Sequence, residues 1–436
     1  MSRLDPLEDL VLATATHRWV SPRELSRLYV DTDRAYTLLE KYFSERFILQ
    51  TCHRVEFYVY PCCEISRIKE FLGELYGNDS DVLRNFQIFT GREAVKHLLK
   101  VAAGLDSAIL GECEVLGQLE SAYDYAVKRR HVKDVLRTIV ERAVRFGKYV
   151  RTCTNIARGV TGFGSLTVLY LRKLYQTLDD LKILLVGAGE MGSTLAKELH
   201  DAGARQVVIL NRTVDKAREL AEKYGYLYDV LTKETLLKYL QEVDVAIFAI
   251  ATREPILTGK DISNLRRKPL IIDLGMPHNV SDDVDTAIVW LEDLAKIAEK
   301  YNREKMEEAK KIENLIQQEI ENITLEVRKK ILKRLLSEYI KFSYTVAEHE
   351  LKRAITSRLI DKNLENTIKI LLSSTINKIT RPIIRLVEEY SKEKAHEIHE
   401  ILTTLTKLIK EEFNYLNSTN DENGSRRSTN EDGPKR

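Results

Sequence analysis

A cysteine stands in a polar, charged segment, Thr51-Cys52-His53-Arg54, which Glu56 follows closely. Only the thiolate form of cysteine is a good nucleophile, and neighbouring positive charge lowers the pKa of the thiol. Cysteine is also a common buried residue, but this segment is too polar for a core strand. The residue types therefore predict a reactive Cys52 whose pKa is lowered by its basic neighbours.

A glycine-rich motif, Gly187-Ala188-Gly189-Glu190-Met191-Gly192, follows the apolar run Lys182–Val186 and precedes a helical pattern. In that context the glycines let the backbone approach a pyrophosphate, which is bound at the helix N-terminus. The next predicted strand ends in Asn211-Arg212-Thr213, without the acidic residue that usually holds the ribose of NAD. Arg212 and Thr213 can hold a 2′-phosphate instead. NADPH is therefore the predicted cofactor, and a Rossmann domain that binds another nucleotide or none is the alternative.

A reactive cysteine and a hydride donor together predict one chemistry. An acyl group is captured as a thioester and is then reduced to an aldehyde.

The composition is that of an ordinary globular protein. The chain has 436 residues, 44% of them hydrophobic, which at roughly 150 residues per domain suggests more than one domain. The 68 basic and 66 acidic residues give a net charge of only +2, which is no argument for nucleic-acid binding. The 5 cysteines include no CxxC pair, so a disulfide framework and a metal site are not expected.

The apolar runs have the length of strands and fall short of the roughly 20 residues of a membrane span. The first residues carry acidic side chains and lack the basic and apolar regions of a signal peptide. We therefore expect a cytoplasmic protein without a membrane partner.

The alternation of apolar strands with helical patterns places the chain in the α/β class. Residues 1–155 are predicted to form an N-terminal α/β catalytic domain, in which β-rich runs at 46–50 and 55–60 flank the turn with Cys52. Successive side chains of an extended strand point to opposite faces. His53 is therefore expected to point away from the Cys52 sulfur unless the turn brings it round.

A long spinal helix is predicted over about residues 135–172, with a break suggested by glycines near 159–164. A second linking helix is predicted over residues 293–330. Residues 156–292 alternate strands and helices, as in a doubly wound NADP-binding Rossmann domain.

Residues 293–416 are predicted to form an all-helical domain. A single helix cannot bury one apolar stripe alone, so we expect dimerisation through this domain, and packing of the domain on itself is the alternative. The tail, residues 417–436, has almost no apolar residue and is predicted to be disordered. The stripe repeats at steps of three and four and consists of Ala309, Ile312, Ile316, Ile320, Ile323, Val327 and Ile331.

These motifs resemble those of the glutamyl-tRNA reductase family. Four blocks carry the resemblance: residues 51–56, residues 104–118, the glycine-rich motif with Asn211-Arg212-Thr213, and residues 272–277. With the C-terminal helices, the resemblance covers about residues 10–410. The first two blocks are specific to the family, whereas the third is shared with shikimate dehydrogenases.

The resemblance implies a catalytic pair, Cys52 as the nucleophile and His97 as the residue that stabilises the thiolate or protonates the leaving hydroxyl. On the residues alone, a helical histidine is more often structural. Arg54 suits the γ-carboxylate of a glutamyl group, with an ion pair to Glu56 as the alternative. A carboxylate of the second block can bind the α-ammonium of the substrate.

The implied substrate-binding residues are Thr51, His53, Arg54, Ser107, Glu112, Cys113, Glu114 and Gln118. The implied cofactor-binding residues are Gly187, Ala188, Gly189, Glu190, Met191, Gly192, Asn211, Arg212 and Thr213. The family most often has other residue types at His53 and Cys113, and Cys113 is a second candidate for a reactive thiol.

The activity that the resemblance implies is NADPH-dependent reduction of glutamyl-tRNA(Glu) to glutamate-1-semialdehyde, with release of tRNA, through a cysteine thioester. This is the first step of tetrapyrrole biosynthesis. The resemblance also implies a homodimer and handover of the aldehyde to glutamate-1-semialdehyde aminomutase.

Two other functions are compatible with the motifs. An NADP-dependent semialdehyde dehydrogenase would use a catalytic cysteine on a substrate without tRNA, but that class places its nucleophile after the cofactor motif. A redox sensor would bind the cofactor without turnover, and it would have no need of residues 104–118.

Overall fold

The structure is a computed structural model that describes residues 5–390 except 63, 253 and 264, together with 404, 407, 408 and 411. The chain divides into two compact units, residues 9–320 and residues 1–8 with 321–436. The tail predicted to be disordered, residues 417–436, lies outside the described residues. The finer division at residues 155, 292 and 416 stays a prediction.

The larger unit begins with an antiparallel sheet whose strands are β1 (Val11–Thr16), β2 (Glu45–Thr51), β3 (Arg54–Tyr60) and β4 (Gln87–Thr90). The strand order is β2-β3-β1-β4. Every residue of β1 and β3 is buried, so both faces of the sheet are covered. The helices of this part are α1 (Pro22–Arg27), α2 (Thr32–Glu40), α3 (Ile65–Tyr76), α4 (Ser80–Leu83), α5 (Gly91–Ala102), α6 (Glu114–Lys128) and α7 (Val135–Cys153).

The predicted spinal helix over 135–172 is interrupted earlier than its glycines suggested. Helix α7 ends at Cys153, and α8 spans Phe163–Tyr175. Thr154, which caps α7, is already extended, and Gly159 adopts φ +74°, a left-handed conformation that favours glycine. A Cβ at Gly111 would lie 2.1 Å from the carbonyl oxygen of Ile156. The break is therefore fixed by close packing of this connection against residues 104–118, a tertiary contact that helical periodicity does not reveal.

A six-stranded parallel sheet follows, in the order β10-β9-β8-β5-β6-β7, and confirms the predicted doubly wound Rossmann fold. Ile183 and Leu185 belong to one apolar cluster, and Leu184 and Val186 to another, so helices cover both faces. The elements are β5 (Lys182–Val186), α9 (Glu190–Asp201), β6 (Gln206–Asn211), α10 (Val214–Tyr224), β7 (Leu227–Val230), α11 (Lys233–Leu240), β8 (Val245–Phe248), α12 (Gly259–Ser263), β9 (Leu270–Asp273) and β10 (Ile288–Trp290).

The linking helix expected over 293–330 is two helices, α13 (Leu291–Glu304) and α14 (Met306–Thr356), separated at Lys305. Six isoleucine and valine residues of the predicted stripe are buried, and Ala309 is half-buried. A short 3₁₀ turn, Lys362–Leu364, and α15 (Glu365–Tyr390) complete the described helical part. Among the described residues, no helix combines the length and apolar character that a membrane crossing requires.

Candidate active site

Cys52 and His53 form the two-residue turn of the hairpin between β2 and β3. Thr51 pairs directly with Arg54 across the hairpin, so the tip of the turn carries the thiol. The Thr51 hydroxyl accepts a hydrogen bond of 3.1 Å from the His53 backbone N–H, and the Tyr29 hydroxyl donates to the Cys52 carbonyl at 2.8 Å. These bonds fix the backbone on which the sulfur is mounted.

His53 does not point away from the sulfur, because the turn brings its ring round and places Nδ1 3.3 Å from Cys52 Sγ. The alternation of side chains holds for extended backbone, and these two residues are in a turn. The ring centroid of His17 lies 5.2 Å from that of His53.

The predicted lowering of the Cys52 pKa is also wrong. Burial, followed by the charges of Glu112 and Glu114, raises the pKa of Cys52 to about 12, and the opposing effect of Arg54 is smaller. Burial, with the charges of His17 and Arg54, lowers the pKa of His53 to about 3. At neutral pH the pair is therefore a thiol beside an uncharged imidazole.

Arg54 lies at the centre of a buried charged network. Its side chain is 1% exposed, and Nη1 donates to Glu56 Oε1 and to Asp106 Oδ2, each at 3.0 Å. Nη2 donates to the Asp106 carbonyl at 2.9 Å. The ion pair with Glu56, the alternative role for Arg54, is thus present, although Arg54 also lines the pocket at Cys52.

His97, on α5, joins the same network through Glu56. Its Nε2 lies 2.7 Å from Glu56 Oε1. Burial acts to raise the pKa of Glu56, but the charges of His97 and Arg54 and the hydrogen bonds outweigh it, and the pKa is lowered to about 2. In this arrangement His97 contacts the carboxylate that holds Arg54, not the sulfur.

Residues of the second block surround the thiol. A small pocket is lined by Thr51, Cys52, His53, Arg54, Ser107, Glu112, Val115 and Gln118. The structure thus brings seven of the implied site residues to one place. Cys113 is exposed at the start of α6, and Glu114 follows it. In the described part of the chain, no group of three or more His, Cys, Asp or Glu side chains is arranged to hold a metal ion.

The glycine-rich turn between β5 and α9 fits a dinucleotide. A Cβ at Gly192 would lie 2.1 Å from the Gly187 carbonyl oxygen, whereas the space beside Gly189 is open. The Ala188 backbone N–H donates to Asn211 Oδ1 at 3.2 Å, and Asn211 Nδ2 donates to the Thr213 carbonyl at 2.9 Å. Asn211 therefore braces the turn, and Arg212 lines a neighbouring cleft of about 280 Å³.

The thiol pocket and the cofactor turn meet in this structure. Gln118, which lines the pocket, donates from Nε2 to Oε2 of Glu190 at 3.3 Å. Cys52 and the glycine-rich turn come from separate parts of the sequence, and this contact brings those parts together within the larger unit.

Two residues that hold the second block in place were missed by the sequence analysis. Asn302 donates to the Ala108 carbonyl and accepts from the Leu110 N–H, both at 2.8 Å. Lys305 donates to the carbonyls of Leu110 and Val160 at 2.9 and 2.6 Å. Nothing in the sequence identifies these contacts, because almost 200 residues separate the partners of the Asn302 bonds. Asp106, by contrast, stands in the quoted block and could have been suspected.

The parallel doubly wound sheet with its glycine-rich first turn defines a pyridine-nucleotide dehydrogenase fold. The preceding antiparallel sheet presents a cysteine on a hairpin, and the pocket of that thiol contacts the cofactor turn. Residues 14–154 match the family model of the glutamyl-tRNA(Glu) reductase N-terminal domain, and residues 170–299 match shikimate / quinate 5-dehydrogenase. The chain belongs to the glutamyl-tRNA reductase family.

Relatives cover nearly the whole chain. Glutamyl-tRNA reductase 2 of Pyrobaculum arsenaticum is 35% identical over 92% of this chain and 96% of its own. The Caldivirga maquilingensis glutamyl-tRNA reductase is 33% identical over 89% and 93%. The solved glutamyl-tRNA reductase of Methanopyrus kandleri has a TM-score of 0.53 and 31% identity over 91% of this chain and 99% of that one. These relatives support the predicted family and not the semialdehyde dehydrogenase alternative.

Proposed function

We propose that this chain reduces glutamyl-tRNA(Glu) to glutamate-1-semialdehyde with NADPH and releases the tRNA, through a thioester on Cys52. One observation carries the proposal: the turn that bears Cys52 shares a pocket with Ser107, Glu112 and Gln118, and Gln118 contacts Glu190 of the cofactor turn. The thiol, the second block and the glycine-rich turn therefore lie together. This arrangement allows an acyl group to be transferred to the thiol and then reduced by a cofactor bound at the turn.

In the first half-reaction, Cys52 Sγ forms a bond to the glutamyl carbonyl carbon while the bond from that carbon to the terminal ribose oxygen of the tRNA breaks. His53, whose Nδ1 faces the sulfur at 3.3 Å, is placed to relay the thiol proton to the leaving oxygen without being held as an imidazolium. That proton then passes to the ribose oxygen, which leaves as a hydroxyl. The ester is already activated, so no further co-reactant is needed.

In the second half-reaction the thioester carbonyl is reduced. Bound NADPH supplies the hydride, for which a thioester is a better acceptor than a carboxylate. Cys52 holds the carbonyl carbon during reduction, and its sulfur then leaves to give the aldehyde. The released thiolate takes up a new proton from solvent, and His53, whose Nδ1 faces the sulfur, is placed to relay it.

The residues around the cofactor turn support NADPH rather than NADH. Strand β6 ends in Asn211, whose side chain is committed to the turn. Arg212 and Lys233 line the adjacent cleft of about 280 Å³, where a 2′-phosphate would meet positive charge. Replacing Arg212 with Ala should raise the KM for NADPH at least about tenfold and leave that for NADH nearly unchanged.

Two partners belong to the same proposal. The chain forms a homodimer through its C-terminal helices, since α15 exposes Ile370, Leu371 and Ile379 at 69%, 61% and 61%. The aldehyde product is reactive, which favours direct handover to glutamate-1-semialdehyde aminomutase.

The activity is tested by mixing the purified protein with glutamyl-tRNA and NADPH while following NADPH oxidation and tRNA release. We expect one NADPH oxidised per tRNA released. A Cys52→Ser variant should lose activity at least about a thousandfold, as expected for a nucleophile, and Cys153→Ser, an exposed cysteine outside the site, should retain it. Reduction of glutamyl phosphate without reduction of glutamyl-tRNA would contradict the proposal.

A further inference from the structure

Glu190 stands in the glycine-rich motif, yet its side chain contacts Gln118, which lines the Cys52 pocket. It is the first residue of α9, and its Oε2 accepts the 3.3 Å hydrogen bond from Gln118 Nε2. A Cβ at the neighbouring Gly117 would lie 3.7 Å from Glu190 Oε1. One carboxylate oxygen therefore bonds Gln118, and the other lies against the same turn of α6.

Glu190 adds a third carboxylate to Glu112 and Glu114. Burial, followed by the charges of Glu112 and Glu190, raises the pKa of Glu114 to about 8. Burial also raises the pKa of Glu112, and Glu190 adds to that effect while Arg54 and Arg151 oppose it. In the described part of the chain, no lysine, arginine or histidine forms an ion pair with any of the three. The three carboxyl groups thus repel one another, and a cation bound among them would relieve that repulsion.

Polar atoms at the same place also lack partners. Ser107 is 7% exposed and lines the Cys52 pocket; its buried Oγ has no well-formed hydrogen bond to a described residue, although the hydroxyl lies close enough to Glu112 to oppose the rise of that carboxyl's pKa. Glu114 Oε1 is buried and equally unpartnered. Buried polar atoms are normally hydrogen-bonded, so these atoms point to a ligand that supplies the missing partner. An ammonium group has three donors and the required charge.

We propose that Glu190 is a substrate-specificity residue, which with Glu114 binds the α-ammonium group of the glutamyl substrate and thereby ties the cofactor module to the loaded pocket. The inference rests on the proposed function, since it requires an aminoacyl substrate. It makes Glu190 a shared residue: its backbone belongs to the cofactor turn, and its carboxylate belongs to the substrate site.

Binding of the ammonium would also act on the nucleophile. The charges of Glu112 and Glu114 contribute to the raised pKa of Cys52. A cation that pairs with Glu114 offsets that charge and favours the thiolate. The thiol is thus easier to deprotonate when a substrate with an α-ammonium group is bound, although burial, the first cause of its raised pKa, remains.

A substrate that lacks only the ammonium group tests the assignment. Glutaryl-tRNA carries the same ester and the same γ-carboxylate as glutamyl-tRNA. At saturating NADPH, the wild-type kcat/KM should favour glutamyl-tRNA by about 10- to 100-fold, as expected for hydrogen bonds to charged groups. Glu190→Gln should lower kcat/KM for glutamyl-tRNA at least about fivefold and change that for glutaryl-tRNA less than about twofold, as a contact made only by the ammonium requires.

Glu114→Gln should likewise lower the ratio of kcat/KM for glutamyl-tRNA to that for glutaryl-tRNA. Glu222→Gln, which removes an exposed charge from α10 of the same module, should leave that ratio unchanged. The NADPH Kd of Glu190→Gln, measured by fluorescence titration, should match that of the wild type. An equal loss with both substrates, or a loss confined to NADPH binding, overturns the assignment. If the wild type reduces neither glutamyl-tRNA nor glutaryl-tRNA, that result contradicts the proposed function itself, and this inference with it.

Discussion

At the scale of the residue, Cys52 is held as a protonated thiol by the same pocket that would receive its substrate. The position of the thiol on a turn could be predicted, because β-rich runs flank a polar segment. The direction of its pKa shift could not, because burial and the carboxylates of residues 112 and 114 outweigh the adjacent Arg54. Sequence neighbours reveal charge, but desolvation depends on the whole fold.

The rate of Cys52 alkylation should depend on Glu114. With a pKa far above neutrality, the wild-type rate with iodoacetamide should rise about tenfold per pH unit between pH 7 and pH 9, because only the thiolate reacts. Glu114→Gln removes a charge that raises this pKa, so alkylation at pH 8 should accelerate several-fold, up to about tenfold for one pKa unit. Peptide mass spectrometry of the Cys52 peptide measures the rate. Equal rates in Glu114→Gln and Glu222→Gln would contradict the electrostatic account.

The buried carboxylate of Glu56 should make stability depend on pH in a defined window. Its folded pKa is about 2 against an ordinary value of 4.5. The stabilisation is therefore fully present above about pH 4.5 and is lost as the pH falls towards 2. Glu56→Gln leaves Arg54 without one buried partner and should cost about 3–5 kcal/mol at pH 7. Urea unfolding should show the difference from wild type shrinking below about pH 4.5; a constant difference would contradict it.

At the scale of the element, α13 and the connection from α7 to α8 hold the second block, residues 104–118, which carries Ser107 and Glu112. The strands and the glycine-rich turn of the cofactor sheet were predictable, because buried parallel strands are apolar throughout and the motif is local. The early break after Cys153 and the bonds from Lys305 and Asn302 were not, because they depend on contacts between distant segments.

Lys305 should matter for substrate binding and not for cofactor binding. It is 8% exposed and donates to Leu110 and Val160 carbonyls. Lys305→Met removes hydrogen bonds worth about 1.5–3 kcal/mol each, so the KM for glutamyl-tRNA should rise at least about fivefold while the NADPH Kd changes less than about twofold. Lys296→Met, at an exposed lysine on α13, the helix that ends just before Lys305, is the matched control. A parallel change in both constants would indicate general unfolding instead.

At the scale of the whole molecule, the larger unit contains both halves of the chemistry, the thiol and the dinucleotide turn. The α/β class, the Rossmann domain and the long C-terminal helix were predictable because each has a strong periodic signal. The contact between Gln118 and Glu190 was not, since no local pattern reports how two modules meet. The exposed apolar residues on α15 support the proposed homodimer.

Charged substitutions on α15 should dissociate that dimer. Ile370→Lys combined with Ile379→Lys places charges at two exposed apolar positions of α15, and burying either charge in an interface would be unfavourable. Light scattering after gel filtration should give the mass of one chain for this variant and of two chains for the wild type. The Ile370→Met, Ile379→Met variant keeps both positions apolar and should remain dimeric. A monomeric wild type would contradict the proposal.

The most direct test of the account is the covalent intermediate itself. The protein is incubated with glutamyl-tRNA carrying labelled glutamate in the absence of NADPH, then digested and analysed by mass spectrometry. The account predicts glutamate bound to the Cys52 peptide, and its conversion to glutamate-1-semialdehyde when NADPH is added before digestion. Label on the Cys113 peptide instead, or full turnover by Cys52→Ser, would contradict it.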